Sequence, residues 1–183
     1  MRRLTLFSLV PVLALTAVSA AALTPAVPFG SHTWDVAEVF TNSDGTVQFI
    51  ELVEANGTPN EVGLPGHTLS SNGHSFVIPG GPLAAPTSNK RYLIATAAFA
   101  ALPGAPTPDA IIPAGSLPNF FSSAGDTVSY VPWDSWTFGA VPTDGINSLK
   151  RNGTVSPNSP TNYAGASGMV VASAPSAESA PRK

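Results

Sequence analysis

Residues 46–57 read TVQFIELVEANG and set a carboxylate, Glu51, in the middle of the most strand-like run of the chain. A buried carboxylate without a partner costs several kcal/mol or stays protonated. Two placements are open. Glu51 points inward and meets one of the four bases of the domain body, Lys90, Arg91, Lys150 or Arg151. Arg151 is then the expected partner, because a guanidinium holds a carboxylate through two parallel hydrogen bonds. Alternatively, Glu51 lies on a solvated face with Val47, Phe49 and Val53 beside it. Alternation along the strand does not decide between the two.

The other reactive residue types form no recognisable constellation. Glu51 and Glu54 stand at an odd spacing, as do Asp35 and Glu38, so neither pair shares a strand face. No carboxylate spacing predicts a paired acid and base. His67 and His74 flank Ser-Asn-Gly and could face each other across a hairpin, but no third ligand is marked for a metal. Asp44-Gly45 lacks the alternating acids of a calcium loop. There is no Gly-x-Ser-x-Gly, no phosphate loop and no dinucleotide fingerprint. No catalytic residue, metal ligand or cofactor is therefore assigned. Trp133 and Trp136, in VPWDSWTF, are the candidate ligand-binding residues. An exposed pair could stack on a sugar ring, while a buried pair would fill the end of a core.

The elements that must position these residues are short strands. Nineteen prolines and sixteen glycines interrupt the chain. Strands are predicted at 34–41, 46–54, 67–70, 74–78, 91–96, 127–131, 136–140 and 148–152, with a helical turn at 97–102. Asn-Gly and Asp-Gly links suit turns because both residues tolerate positive φ. This spacing predicts an all-β, antiparallel sandwich or barrel. Residues 103–119 are too rich in proline for regular structure, with Ile111 and Ile112 expected to anchor that loop. From residue 154 onward Ser, Ala, Pro, Gly and Asn dominate, and 154–183 reads as a flexible tail.

The start of the chain has the form of an export signal. Met1-Arg2-Arg3 precedes an apolar run, Leu4 to Val18, and small residues that allow cleavage after Ala20 or Ala22. The run is short for a membrane span, which needs about 20 apolar residues. Residues 1–22 are thus expected to be removed, and the product to be secreted, periplasmic or extracellular, with no membrane insertion. All eleven acids lie beyond this segment while two of the eight bases leave with it, so the mature chain carries a formal charge of −5. That balance disfavours nucleic acid as a partner. The chain has no cysteine, so its core must suffice without disulfides.

The order of short motifs resembles the lamin-tail domain family in its exported bacterial form. The matching pieces are Glu38-Val39, then Phe49-Ile50-Glu51-Leu52, then Leu64 to Leu69. Phe76-Val77-Ile78-Pro79, Tyr92-Leu93-Ile94, Ser122 to Val128 and Asp144 to Arg151 follow. Phe49 and His67 stand where the family pattern has Trp, and the insert at 103–119 is long. The resemblance implies an immunoglobulin-like β-sandwich over 31–153 without catalytic residues. It also implies that Glu51 and Arg151 are framework residues. The function it implies is an exported, non-catalytic binding or structural module acting on a protein or a surface polysaccharide. The alternative is a carbohydrate-binding module that uses Trp133 and Trp136.

Overall fold

The computed structural model describes residues 30–172. The expected signal segment and the last residues of the expected tail, 173–183, lie outside them. Among the described residues, ten strands form two sheets. The first sheet contains β1 (Trp34–Thr41), β2 (Gln48–Glu54), β5 (Arg91–Ala95), β6 (Ala110–Ile111), β9 (Asn147–Lys150) and β10 (Val155–Pro157), in the order β10-β9-β1-β2-β5-β6. The second contains β3 (Thr68–Ser71), β4 (His74–Val77), β7 (Asp126–Val131) and β8 (Asp134–Phe138), in the order β4-β3-β7-β8. All pairings are antiparallel except β5 with β6. The only helix among the described residues besides one 3₁₀ turn is α1 (Ala97–Ala100), capped by the Thr96 hydroxyl, which accepts from Phe99 N.

The main core lies between the two sheets. Trp34, Val36 and Val39 of β1, Ile50 and Leu52 of β2, and Tyr92 and Ile94 of β5 meet Leu69, Val128, Tyr130 and Trp136 of the second sheet. The period-two alternation that made these strands legible is the alternation that fills this core. Turn chemistry also acts as expected. Asn72 and Gly73 link β3 to β4 at φ +48° and +74°, the left-handed pair a two-residue hairpin needs.

Two expectations require correction. The proline-rich segment 103–119 contributes β6, and Ala110 and Ile112 anchor it, whereas Ile111 is exposed. The larger correction is the domain boundary, which sequence analysis placed at residue 153. The chain continues into β10 and then runs as a strap, residues 158–172, across the outer surface of the six-stranded sheet. There Val170 and Ala172 join Phe40, Val47, Phe49, Leu93 and Phe99 in a second apolar cluster. Asn158 pins the strap at both ends: its Nδ2 donates to the carbonyls of Ile146 and Val170 at 2.7 and 2.8 Å, and its Oδ1 accepts from Val170 N at 2.9 Å. Composition hid this, because a strap needs only a few apolar anchors and its small residues let it lie close to the sheet.

Ending the chain at Gly153 should therefore destabilise the domain. Full burial of one valine contributes about 1.5–3 kcal/mol, and the strap also covers two phenylalanines and two carboxylates. Denaturant unfolding is expected to show a loss above about 3 kcal/mol or no cooperative transition. A midpoint matching that of the full chain would contradict the packed strap.

Candidate functional site

Of the charged residues singled out in the sequence, Glu38, Glu51, Arg91 and Lys150 meet on the outer face of the six-stranded sheet, and the two outer faces of the sandwich are unlike. On the six-stranded sheet, a β-bulge at Ala37 decides the arrangement. Val36 pairs with Leu52, and the register then shifts so that Glu38 pairs with Glu51. Trp34 and Val36 face the main core, and without the bulge Glu38 would follow them inward. The extra residue turns Glu38 outward instead, directly across from Glu51.

Both carboxylates are buried, at 1% and 0% exposure, because the strap lies over them. Glu51 Oε1 accepts from the Arg91 guanidinium, and Oε2 accepts from Thr161 N at 2.7 Å. Glu38 accepts from the Ser148 hydroxyl at 2.6 Å and from Ser159 N at 3.0 Å, and Lys150 Nζ stands 2.5 Å from its Oε2. The two open placements of Glu51 are thus both half right. It lies on the face of Val47, Phe49 and Val53, yet that face is closed rather than solvated.

Its partner is Arg91 and not Arg151, which corrects the expected pairing. Arg91 sits on β5, the strand next to β2, and shares its outer face with Glu51. Lys150 of β9 also points outward, toward Glu38, so alternation sends the next residue, Arg151, the other way. Arg151 instead grips Asp134 of the second sheet at 2.5 and 2.7 Å. Asp134 Oδ2 also accepts from Val36 N at 2.8 Å, and Arg151 donates to the Val36 carbonyl at 2.9 Å. The closing arginine therefore locks the bulge and ties the two sheets together. The fourth base, Lys90, lies 5.4 Å from the centre of the Tyr163 ring in the strap.

The balance of burial against donors sends the two glutamates of β2 in opposite directions. Burial pushes Glu51 up to about 7 against the opposing pull of Arg91, and the neighbouring Glu38 pushes it the same way. Burial also raises Glu54, but donors outweigh it and hold that carboxyl at about 2. They are the hydroxyls of Thr33 and Thr58 and the amides of Asn56 and Asn89.

The adjacent carboxylates Glu38 and Glu51 are the acid pair that spacing along a single strand did not reveal. They come from different strands, and only the bulge sets their register. Each oxygen already has an internal donor, so the pair holds the strap rather than facing a reactant. The groove beside it, about 320 Å³ and lined by Arg91, Lys150, Arg151 and Ser159 among others, presents cations that already hold carboxylates.

The two tryptophans part company. Trp136 is 9% exposed and packs on Phe138 at 5.0 Å between ring centres, in the main core. Trp133, at the tip of the β7–β8 hairpin, is 48% exposed and has His32 and His67 beside it at 5.8 and 6.3 Å. They do not make one platform, because they stand at an odd spacing across the start of a strand. His67 and His74 do not face each other either. His74 pairs with Ser71 in the hairpin register and stacks on Phe120, while His67 contacts the Ser31 hydroxyl at 2.8 Å.

The outer face of the four-stranded sheet was not singled out in the sequence. Register aligns Ser75, Ser70, Ser129 and Ser135 in one row across all four strands. Val77, Thr68 and Val131 form the next row toward Trp133, and Thr127 and Thr137 pair on the other side. The alternating Ser and Thr positions carried this signal, but only the register turns it into a surface.

Among the described residues, no three His, Asp or Glu side chains gather closely enough to hold a metal ion, and no helix is long and apolar enough to cross a membrane. Comparison with protein-family models, curated proteins and solved structures finds no match.

The Glu51 carboxyl gives a pH prediction. Its folded pKa lies above the ordinary value, so the folded state holds the proton more tightly than the unfolded chain. The stability this contributes is complete below about pH 4.5 and is lost as pH rises through about 7, with a span of at most about 3 kcal/mol. Urea unfolding of Glu51→Gln should lack this decline, and a slope equal to that of the unsubstituted chain would contradict the assignment. Arg91→Ala leaves a buried carboxylate unpaired and should cost about 3–5 kcal/mol at pH 8, but less at pH 5, where Glu51 can take a proton. A cost independent of pH would separate Arg91 from Glu51.

Proposed function

We propose that this chain is an exported, non-catalytic binding or structural module on an immunoglobulin-like sandwich of the lamin-tail type. The observation that carries the reading is the contrast between the two outer faces. One is closed by a strap and stitched by ion pairs. Among the described residues the other is open along all four strands, with an exposed tryptophan at the tip of its β7–β8 hairpin. A protein whose polar groups were assembled for chemistry would gather them in an open cleft. Here the two adjacent carboxylates are sealed, and the bases beside them hold carboxylates.

The order of motifs from Glu38 to Arg151 supports the lamin-tail likeness. The roles of Glu38, Glu51 and Arg151 in fastening strands, sheets and strap agree with a framework function for those positions. The basic start, apolar run and small residues of 1–22 support export. The docking surface on this reading is the face formed by β4, β3, β7 and β8, with Trp133 beside it.

Expression of the full sequence in a bacterial host should yield a product outside the cytoplasm, with an amino terminus at Ala21 or Leu23 by mass spectrometry. Retention in the cytoplasm at full mass would contradict export. A broad hydrolase screen on the purified product is expected to find no turnover; activity abolished by a single point substitution would overturn the non-catalytic reading.

A further inference from the structure

We propose that the open face of the four-stranded sheet docks a neutral polysaccharide, which it holds by rows of hydroxyls with Trp133 at the rim. This rests on the binding-module reading and names the ligand class of that surface.

The composition of the face is the first argument. The outward side chains are Ser75 and Val77 of β4, Thr68 and Ser70 of β3, Thr127, Ser129 and Val131 of β7, and Ser135 and Thr137 of β8. None is ionisable. The titratable residues of these strands lie elsewhere: Asp134 turns toward Arg151, His74 stacks on Phe120, Asp126 caps the preceding turn through Ser122 N, and Tyr130 lies in the main core. In a chain with eleven acids and eight bases, an uncharged face spanning both edge strands is unusual, since edges are commonly protected by charge. A charged polymer would find no counter-charge here, while a neutral one loses nothing by desolvation of ions.

Chemistry is the second argument. A pyranose has polar hydroxyls at its edges and apolar C–H faces. The serine row supplies hydroxyls across the sheet at the strand spacing of about 4.8 Å, and each can donate once and accept twice. Ser129 and Ser135 lie 2.9 Å apart, and Thr127 and Thr137 lie 2.8 Å apart, so these pairs are already aligned while keeping capacity for a ligand. Next to the serines, Val77 and Val131 are 59% and 42% exposed, and Trp133 lies two residues beyond Val131. Hydroxyl rows bordered by an apolar row offer both halves of what a sugar chain presents, and the Trp133 indole stands at the hairpin tip at the end of that face, beside His32 and His67.

A protein partner or a second copy fits less well. Interface cores are rich in aromatic residues, Met and Arg and poor in Ser, and serine rarely carries binding energy. Here serine is the main residue of the face.

The test uses the purified mature chain in pull-down on cellulose, chitin and cross-linked dextran, with alginate beads and heparin resin as charged counterparts. Retention is expected on at least one neutral polysaccharide, equally at low and high salt, and not on the charged ones. Trp133→Ala and the double variant Ser75→Lys/Ser135→Lys should each cut retention by about tenfold, while Ser135→Thr keeps it. The three substituted positions are exposed, and unfolding midpoints confirm that each variant folds. No retention on any neutral polysaccharide, or retention indifferent to the lysines, overturns the inference. A dimer seen by sedimentation and abolished by the lysines assigns the face to a second copy, which overturns the polysaccharide but leaves the binding module standing. Release of soluble sugar that one substitution abolishes overturns both.

Discussion

Glu38 and Glu51 face each other across neighbouring strands with almost no exposure, and the rest of the six-stranded sheet is arranged around that fact. Two adjacent carboxylates repel and resist leaving water. They can be buried only if donors reach every oxygen. The donors come from three directions: Arg91 and Lys150 from flanking strands, Ser148 from β9, and the backbone amides of Ser159 and Thr161 from the strap. Because the amides belong to the strap, satisfying the carboxylates and docking the strap are one event. The apolar anchors Val170 and Ala172 then close the neighbouring cluster over Phe40 and Phe49. The bulge at Ala37 is the geometric condition for this, since it alone brings Glu38 to the outer face, and the Arg151–Asp134 pair fixes the bulge from the other side.

This arrangement gives the sandwich two unlike surfaces. Antiparallel sheets commonly bury one face and hydrate the other. Here the six-stranded sheet is covered on both sides, by the main core and by the strap with α1. Among the described residues, the four-stranded sheet is covered on one side only. Three ion pairs, Glu51–Arg91, Glu38–Lys150 and Asp134–Arg151, serve the fastening of the first sheet, to its strap and to its neighbour. The outside of the second sheet presents a set of hydroxyls and two valines, with an indole at the hairpin tip beyond them. The two surfaces differ in kind: the ionic groups fasten one, and the other presents neutral side chains to solvent.

Most of the strands were legible because they rest on local rules. Alternation placed β1, β2, β5 and β7 within a residue or two, and Asn72-Gly73 announced its hairpin. What was not legible depends on register and on long-range pairing. A bulge leaves no mark in composition, so the Glu38–Glu51 pair could not be found from spacing along one strand. Arg151 followed from the right principle, a guanidinium for a buried carboxylate, applied without knowing which face of β9 it would occupy. The strap was mistaken for a tail because Asn158, Thr161 and Asn162 hold it through a few hydrogen bonds to other parts of the chain, and no local pattern records such partners. The tryptophans were separated by a hairpin tip that places one in the core and the other at the rim.

Amide hydrogen exchange of the full chain is the most direct measurement of the central claim, which is that the buried carboxylates and the strap form one closed layer. Thr161 N and Ser159 N donate to Glu51 and Glu38, so their protection reports on that layer alone. Exchange of both amides at rates comparable to the central amides of β2 is the predicted result. Exchange at the rate of an unstructured peptide, with β2 still protected, would show that the strap does not close over the carboxylates and would contradict the account.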